Sequence, residues 1–213
     1  MLEVCEIFRS LSGEACWQGY VCTFIRFSGC DVDCDWCDTA YARQEKGKQC
    51  SVEELLSICH ANRTERVILT GGEPLLQEEL PRLCQLLIQN NFQVQLETSG
   101  TRLLNEVPKE VQKVIDIKPP SARAKRGFHW GNLDLLEAQD EVKILLADRE
   151  DYDWALRIMQ KTGLDKNPRV LLSPVAGRLN PAELAEWMLQ DNLCCKMQLQ
   201  LHRIIWPDVE RGK

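Results

Sequence analysis

No apolar run in the 213-residue chain approaches the roughly 20 residues of a helix that crosses a bilayer, so no membrane span is expected. The opening residues, Met1 to Ile7, alternate like a strand and have neither the basic flank nor the apolar core of a secretion signal, which points to a cytoplasmic protein. Positive charge is short. The 26 Lys and Arg face 32 Asp and Glu, for a net −6, and a nucleic-acid polyanion is therefore not an expected partner. Paired cysteines are missing as well: the 11 cysteines are odd in number and scattered, which argues against a disulfide framework and for a reducing compartment. Most of them, including Cys22, Cys59 and Cys84, read as small apolar fillers. The length suits one core and is short for two, so a single domain spanning 1–213 is expected.

The most informative absence is a fourth cysteine. Cys30, Cys34 and Cys37 stand in the run Gly29-Cys30-Asp31-Val32-Asp33-Cys34-Asp35-Trp36-Cys37-Asp38-Thr39, and the loop 28–39 holds no other thiol. A cubane [4Fe–4S] cluster takes one thiolate per iron, so three leave one iron open to a ligand. A structural zinc site also uses closely spaced cysteines, and His60, His129 or His202 is available to complete a Cys3His set. That reading makes the chain a zinc-stabilised binding module.

Further segments bear on the choice. Thr70-Gly71-Gly72-Glu73-Pro74 follows the apolar run Val67-Ile68-Leu69 and precedes a helical pattern from Leu76. Glycine at a strand end permits close backbone approach because no Cβ intervenes. Glu97-Thr98-Ser99-Gly100-Thr101 and Asp116-Ile117-Lys118 sit at the ends of the next two expected strands, where ligands of α/β sheets gather.

Apolar periodicity switches repeatedly between 2 and about 3.6. Strands are expected at Leu2 to Phe8, Cys22 to Phe27, Val67 to Leu69, Phe92 to Glu97, Lys113 to Lys118, Asp140 to Leu146, Arg169 to Leu172 and Lys196 to Leu201. Helices separate several of them, one opened by a Ser51/Glu54 capping box, one by Asn180-Pro181. Repeated βα units demand a mostly parallel sheet. There is room for about six units, which predicts an α/β fold of partial, open (β/α) barrel type. The polar members of the alternating strands, Gln93, Gln95 and Glu97 and then Gln198, Gln200 and His202, are expected to line a wet lumen with Arg26, Asp116, Lys118, Glu141 and Lys143.

The cysteine triad with Trp36 before its last member, followed by Gly71-Gly72-Glu73-Pro74 and the two later segments, resembles the radical S-adenosylmethionine (SAM) superfamily. The resemblance implies a [4Fe–4S] cluster on Cys30, Cys34 and Cys37 whose open iron binds the methionine end of SAM. It also implies SAM contacts at Trp36, Cys37, Asp38, Gly72, Glu73, Thr98, Ser99, Asp116, Ile117 and Lys118. Phe8 to Glu14, Phe24 to Cys30, Cys37 to Thr39, Ser173 to Gly177, Gln200 to His202 and Trp206-Pro207 are similar to the 7-carboxy-7-deazaguanine synthase family of queuosine biosynthesis. That implies a pterin substrate, with Arg26 on its carboxylate, Glu14 and the segment Leu11, Ser12 and Gly13 on its donor edge, and Thr70 adding a hydroxyl. It further implies Mg2+ at Thr39, hydrogen abstraction by a 5′-deoxyadenosyl radical, ring contraction with loss of ammonia, a flavodoxin- or ferredoxin-like electron donor and a homodimer. Ser12 stands where that family usually has glutamine, which weakens side-chain recognition there. A glycyl-radical activase, acting on a protein, shares the cysteine spacing and is the competing reading within the superfamily. The basic run Arg123, Lys125 and Arg126, in a variable loop at about 119–132, reads as a solvated loop, a docking patch for an acidic donor, or a flap over the site.

Overall fold

A computed structural model describes residues 1–167 and 169–213. Side chains along a strand alternate between its two faces, and this alternation builds the molecule. Nine strands form one sheet in the order β3-β1-β2-β4-β5-β6-β7-β8-β9. They are β1 (Leu2–Leu11), β2 (Val21–Phe27), β3 (Lys48–Cys50), β4 (Arg66–Gly71), β5 (Gln93–Thr98), β6 (Gln112–Asp116), β7 (Glu141–Leu146), β8 (Val170–Pro174) and β9 (Lys196–Met197). From β2 to β9 every neighbouring pair is parallel, whereas β1 is antiparallel to both β2 and β3. The result is a partial barrel with an antiparallel hairpin on one edge.

Outward residues of the strands, including Ile25, Val67, Leu69, Leu96, Ile144 and Leu172, form one core with helices α2 (Val52–Asn62), α3 (Leu80–Gln89), α4 (Arg149–Thr162) and α5 (Pro181–Gln190). Each such side chain contributes about 1.5–3 kcal/mol by leaving water. The Ser51/Glu54 capping box is formed, with Ser51 N donating to Glu54 at 2.7 Å and Glu54 N to Ser51 Oγ at 3.1 Å. Buried in the same outer layer, Lys113 Nζ meets Asp140 Oδ2 at 3.1 Å with both side chains at most 2% exposed. Asp140 also accepts from Lys113 N and Glu137 N. Asp140→Ala strands the Lys113 charge, and urea denaturation should show a loss of about 3–5 kcal/mol.

Several boundaries differ from the sequence expectation. β1 runs on to Leu11, because pairing with β2 continues as far as Val21. A short helix α1 (Ala40–Gln44) and β3 were not foreseen. The connections β5–β6 and β6–β7 carry no α-helix; the latter has two 3-10 turns, Pro120–Ala122 and Trp130–Leu135. β9 stops at Met197 instead of reaching Leu201. Its continuation is diverted by side-chain and backbone contacts: Gln198 exchanges two bonds with the Ala15 backbone, 2.7 and 3.1 Å, and Leu201 N donates to Gly13 O at 3.0 Å. Leu201–Ile205 then forms helix α6.

The same contacts close the floor of the barrel. The turn between β1 and β2 reaches across its open side, where Gln18 donates to Leu199 O at 2.7 Å and Cys16 N to Glu141 at 2.8 Å. Glu141 therefore supports the floor, and Gln93 is exposed at the start of β5, while Gln95 is buried inside. Among the described residues no helix is long and apolar enough to cross a membrane.

Candidate active site

The carboxyl ends of β2 and β4–β8 open into one cavity of about 560 Å3. Leu11, Gly13, Glu14, Arg26, Cys30, Cys34, Trp36, Cys37, Asp38, Thr39, Thr70, Gly72, Thr98, Ser99, Asp116 and Lys118 all line it. Ser12, Glu73 and Ile117 do not. Ser12 is 1% exposed and spends its hydroxyl on Glu14 O at 3.0 Å. Ile117 faces the outer core.

Glu73 has the most definite task of the three. Fully buried, it accepts from Thr98 Oγ1 at 2.6 Å, Leu75 N at 3.0 Å and Ser99 N at 2.9 Å, and also from Ser99 Oγ. Burial pushes its carboxyl up, against the pull of these donors. Its side chain thus ties the end of β4 to the end of β5 and sets where Thr98 and Ser99 stand. The glycines before it are required by packing. Gly71 has φ +145° and lies against the Phe27 backbone, and a Cβ on Gly72 would overlap Gly29 O and lie 2.5 Å from the Gly29 carbonyl carbon. Gly72 N and Glu73 N donate to Phe27 O and Gly29 O at 3.0 and 2.8 Å, so the start of the cluster loop is bonded to the Gly71-Gly72-Glu73 segment.

On the cavity floor, Lys143 Nζ contacts Glu14 Oε2 at 2.5 Å and Asp116 Oδ2 at 3.1 Å, and Lys118 Nζ reaches the same Asp116 oxygen at 2.8 Å. Burial opposes the charge on Lys143, yet Asp116, Glu14 and Glu97 hold its pKa well above the ordinary value. The other oxygens, Glu14 Oε1 and Asp116 Oδ1, are buried without a partner among the described residues, as is Trp36 Nε1. Orphaned buried acceptors are costly unless something fills the site. Glu97 accepts from Thr70 Oγ1 at 3.0 Å, and burial raises its pKa against the pull of Lys143. Arg26 is anchored through Nε to Glu6 Oε1 at 2.7 Å and lies over the Phe8 ring at 5.6 Å.

The thiols suit a cluster. Cys30 and Cys34 are half-buried and Cys37 is exposed, and all three line the cavity. Burial pushes the Cys30 thiol up and the Cys34 thiol to about 11, with Lys118 pulling Cys34 the other way; such thiols ionise readily only against a metal. Among the described residues no three His, Cys, Asp or Glu side chains converge on a single-ion position. His60 packs on Phe92 at 5.0 Å, His129 sits beside Gly131, and His202 Nε2 faces Asp38 at 3.4 Å, so none completes a Cys3His zinc site.

Sequence reasoning placed Lys143 in the lumen but gave it no role; its centrality came from Glu14 and Asp116 meeting on it. Arg178, 5.1 Å above the Trp36 ring, and the tail residues Val209, Glu210 and Lys213, which also line the cavity, were not anticipated. No motif marks them.

The profile of the radical SAM superfamily matches residues 24–188. The chain is 35% identical to the 7-carboxy-7-deazaguanine synthase of Koribacter versatilis, covering 99% of this chain and 100% of that protein. It is 38% identical to the synthase of that name from Chlorobaculum tepidum, over 99% and 97%. The crystal structure of QueE from Escherichia coli superposes with a TM-score of 0.73 at 25% identity, covering 92% of this chain and 93% of that one. A three-thiol loop at the mouth of an open barrel and full-length similarity to these synthases lead to one conclusion: the chain belongs to the 7-carboxy-7-deazaguanine synthase family of radical SAM enzymes.

Proposed function

We propose that the chain, working as one unit over residues 1–213, converts 6-carboxy-5,6,7,8-tetrahydropterin to 7-carboxy-7-deazaguanine with loss of ammonia, in queuosine biosynthesis. The observation that carries this reading is the pairing, in one cavity, of a fixed guanidinium with an unsatisfied buried acceptor, Arg26 with Glu14 Oε1. A flat ligand with a carboxylate on one side and N–H donors on another fits that combination.

With Nε held by Glu6, Arg26 keeps its terminal nitrogens for the substrate carboxylate. Glu14 receives the pterin's donor edge. In the Leu11 to Glu14 turn the carbonyls of Ser12, Gly13 and Glu14 already accept bonds within the chain, so the turn contributes its Gly13 and Glu14 N–H groups. Thr70, aligned by Glu97, adds a hydroxyl beside Arg26.

When bound, the [4Fe–4S] cluster and SAM supply reductive C–S cleavage and the radical that abstracts hydrogen. Cys30, Cys34 and Cys37 would hold the cluster. Trp36, Cys37, Asp38, Gly72, Thr98, Ser99, Asp116 and Lys118 form the SAM wall, with Glu73 and Ile117 acting from behind it. Thr39, with substrate oxygens and water, would complete a Mg2+ site. The barrel wall, with the tail residues Pro207, Val209, Glu210 and Lys213 that line the same cavity, would limit water at the reacting atoms. Electrons come singly from a flavodoxin- or ferredoxin-like donor, and the enzyme acts as a homodimer.

Anaerobically reconstituted protein given SAM, reductant, Mg2+ and the carboxytetrahydropterin should release the deazapurine. Preparations that cleave SAM without forming it would overturn the reading and favour an activase. Arg26→Ala should weaken pterin binding by about 1.5–3 kcal/mol and retain its iron; iron loss would instead make Arg26 structural.

A further inference from the structure

The basic run at 119–132 is neither free nor folded over the cavity; it is occupied by the cluster loop. Three of its aspartates, Asp31, Asp33 and Asp35, lie between the cysteines, and each has a cationic partner. Asp31 takes Arg126 Nη1 at 2.8 Å, Arg102 at 3.6 Å and the Thr101 hydroxyl at 3.2 Å. Asp33 pairs with Lys125 and with Arg43, and Asp35 with Arg123 at 3.6 Å. Two backbone bonds run alongside: Lys125 N donates to Val32 O at 2.7 Å and Asp35 N to Ala122 O at 3.1 Å.

We infer that this segment, with Arg102, is a clasp that holds the cluster loop closed on its iron and offsets its negative charge, so that residues remote from SAM and substrate position the cluster. A single exposed ion pair is worth little, but several charges tied into one network with good geometry are worth more. Asp31, the hub, is only 18% exposed, although Arg126 is 51% exposed. The chemistry gives the network a purpose. The three thiolates together with Asp31, Asp33 and Asp35 repel an added electron, and the clasp supplies the compensating field where reduction occurs. The loop at 119–132 is thereby a working part of the redox centre. This rests on the cluster assignment and not on the identity of the substrate.

The test is the double variant Arg102→Gln/Arg126→Gln in the reconstituted holoprotein, with iron release to a chelator followed under anaerobic conditions. Release should be about three- to tenfold faster at low salt, and the cluster's midpoint potential should move to more negative values. Arg102→Lys/Arg126→Lys should restore both. Wild-type release should itself accelerate toward the variant's rate at about 1 M salt, where screening reaches about 3 Å. Unchanged release and potential in the glutamine variant overturn the inference. Salt-independent release by the wild-type protein overturns it without any variant. A wild-type protein that binds iron under the clasp yet makes no deazapurine contradicts the proposed function alone.

Discussion

Exchanging Lys143 for methionine should lower kcat/KM for the pterin by about thirtyfold or more, while iron content stays at the wild-type level. The size follows from what the side chain separates. Lys143 stands between Glu14 and Asp116, and Glu97 contributes to its field. Removing one partner of a buried charge pair costs about 2–5 kcal/mol, mostly for the charges left behind, and 1.4 kcal/mol is tenfold. In the variant the carboxylates lose their shared cation and draw apart, which misdirects the Glu14 and Asp116 oxygens that face the cavity. The pH profile supplies a second readout. Burial already raises the Glu97 pKa, and Lys143 is the first group that lowers it. Without that ammonium the pKa rises further, so the acid limb of kcat/KM should move to higher pH. A variant with wild-type kcat/KM and an unmoved acid limb would show that Lys143 only fills space. The iron assay separates this from a cluster defect, since Lys143 has no bond to residues 28–37.

Gly72→Ala should produce a folded protein that retains its cluster about 5- to 150-fold less well, measured as the equilibrium iron content against chelator. The added methyl would overlap the Gly29 carbonyl and approach Cys30 Cβ to 3.0 Å. Backbone at that point cannot swing aside like a flexible side chain, because Gly29 O is also bonded to Glu73 N and Gly29 N to Ala42 O. Overpacking costs about 1–3 kcal/mol, and relieving it means shifting the Gly29–Cys30 backbone against the bonds that hold it. The strain therefore falls on cluster retention, with the factor following from that energy. Far-ultraviolet circular dichroism checks the fold independently. Full iron content in a folded Gly72→Ala protein would sink the argument that these glycines serve the packing of the cluster loop.

Much of the site was legible in the sequence for a specific reason. Cys30, Cys34 and Cys37 lie within one loop, and Gly72, Thr98, Ser99, Asp116 and Lys118 terminate successive parallel strands; a (β/α) arrangement brings strand ends together whatever the details between them. The differences have a common cause as well. Motif position places Glu73 beside the site but does not reveal the direction of its side chain, and its carboxylate turns inward to Thr98 and Ser99. Gln198 and Gln200 continue an alternating pattern, yet the strand ends before them because Gln198 is claimed by the Ala15 backbone, 183 positions away.

The sequence by itself determined the chemistry of the loop at 30–37, the strand–helix alternation and the polar inner face carrying Gln95, Glu97, Asp116 and Lys143, since these depend on spacing and period, which are local. Only the tertiary structure decided that Lys143 joins Glu14 to Asp116, that Glu73 braces the wall, and that Arg102, Arg123, Lys125 and Arg126 close on Asp31, Asp33 and Asp35. Each of these joins polar or charged groups far apart in the chain, and the partner of such a group is fixed by distance in space, which no periodicity records.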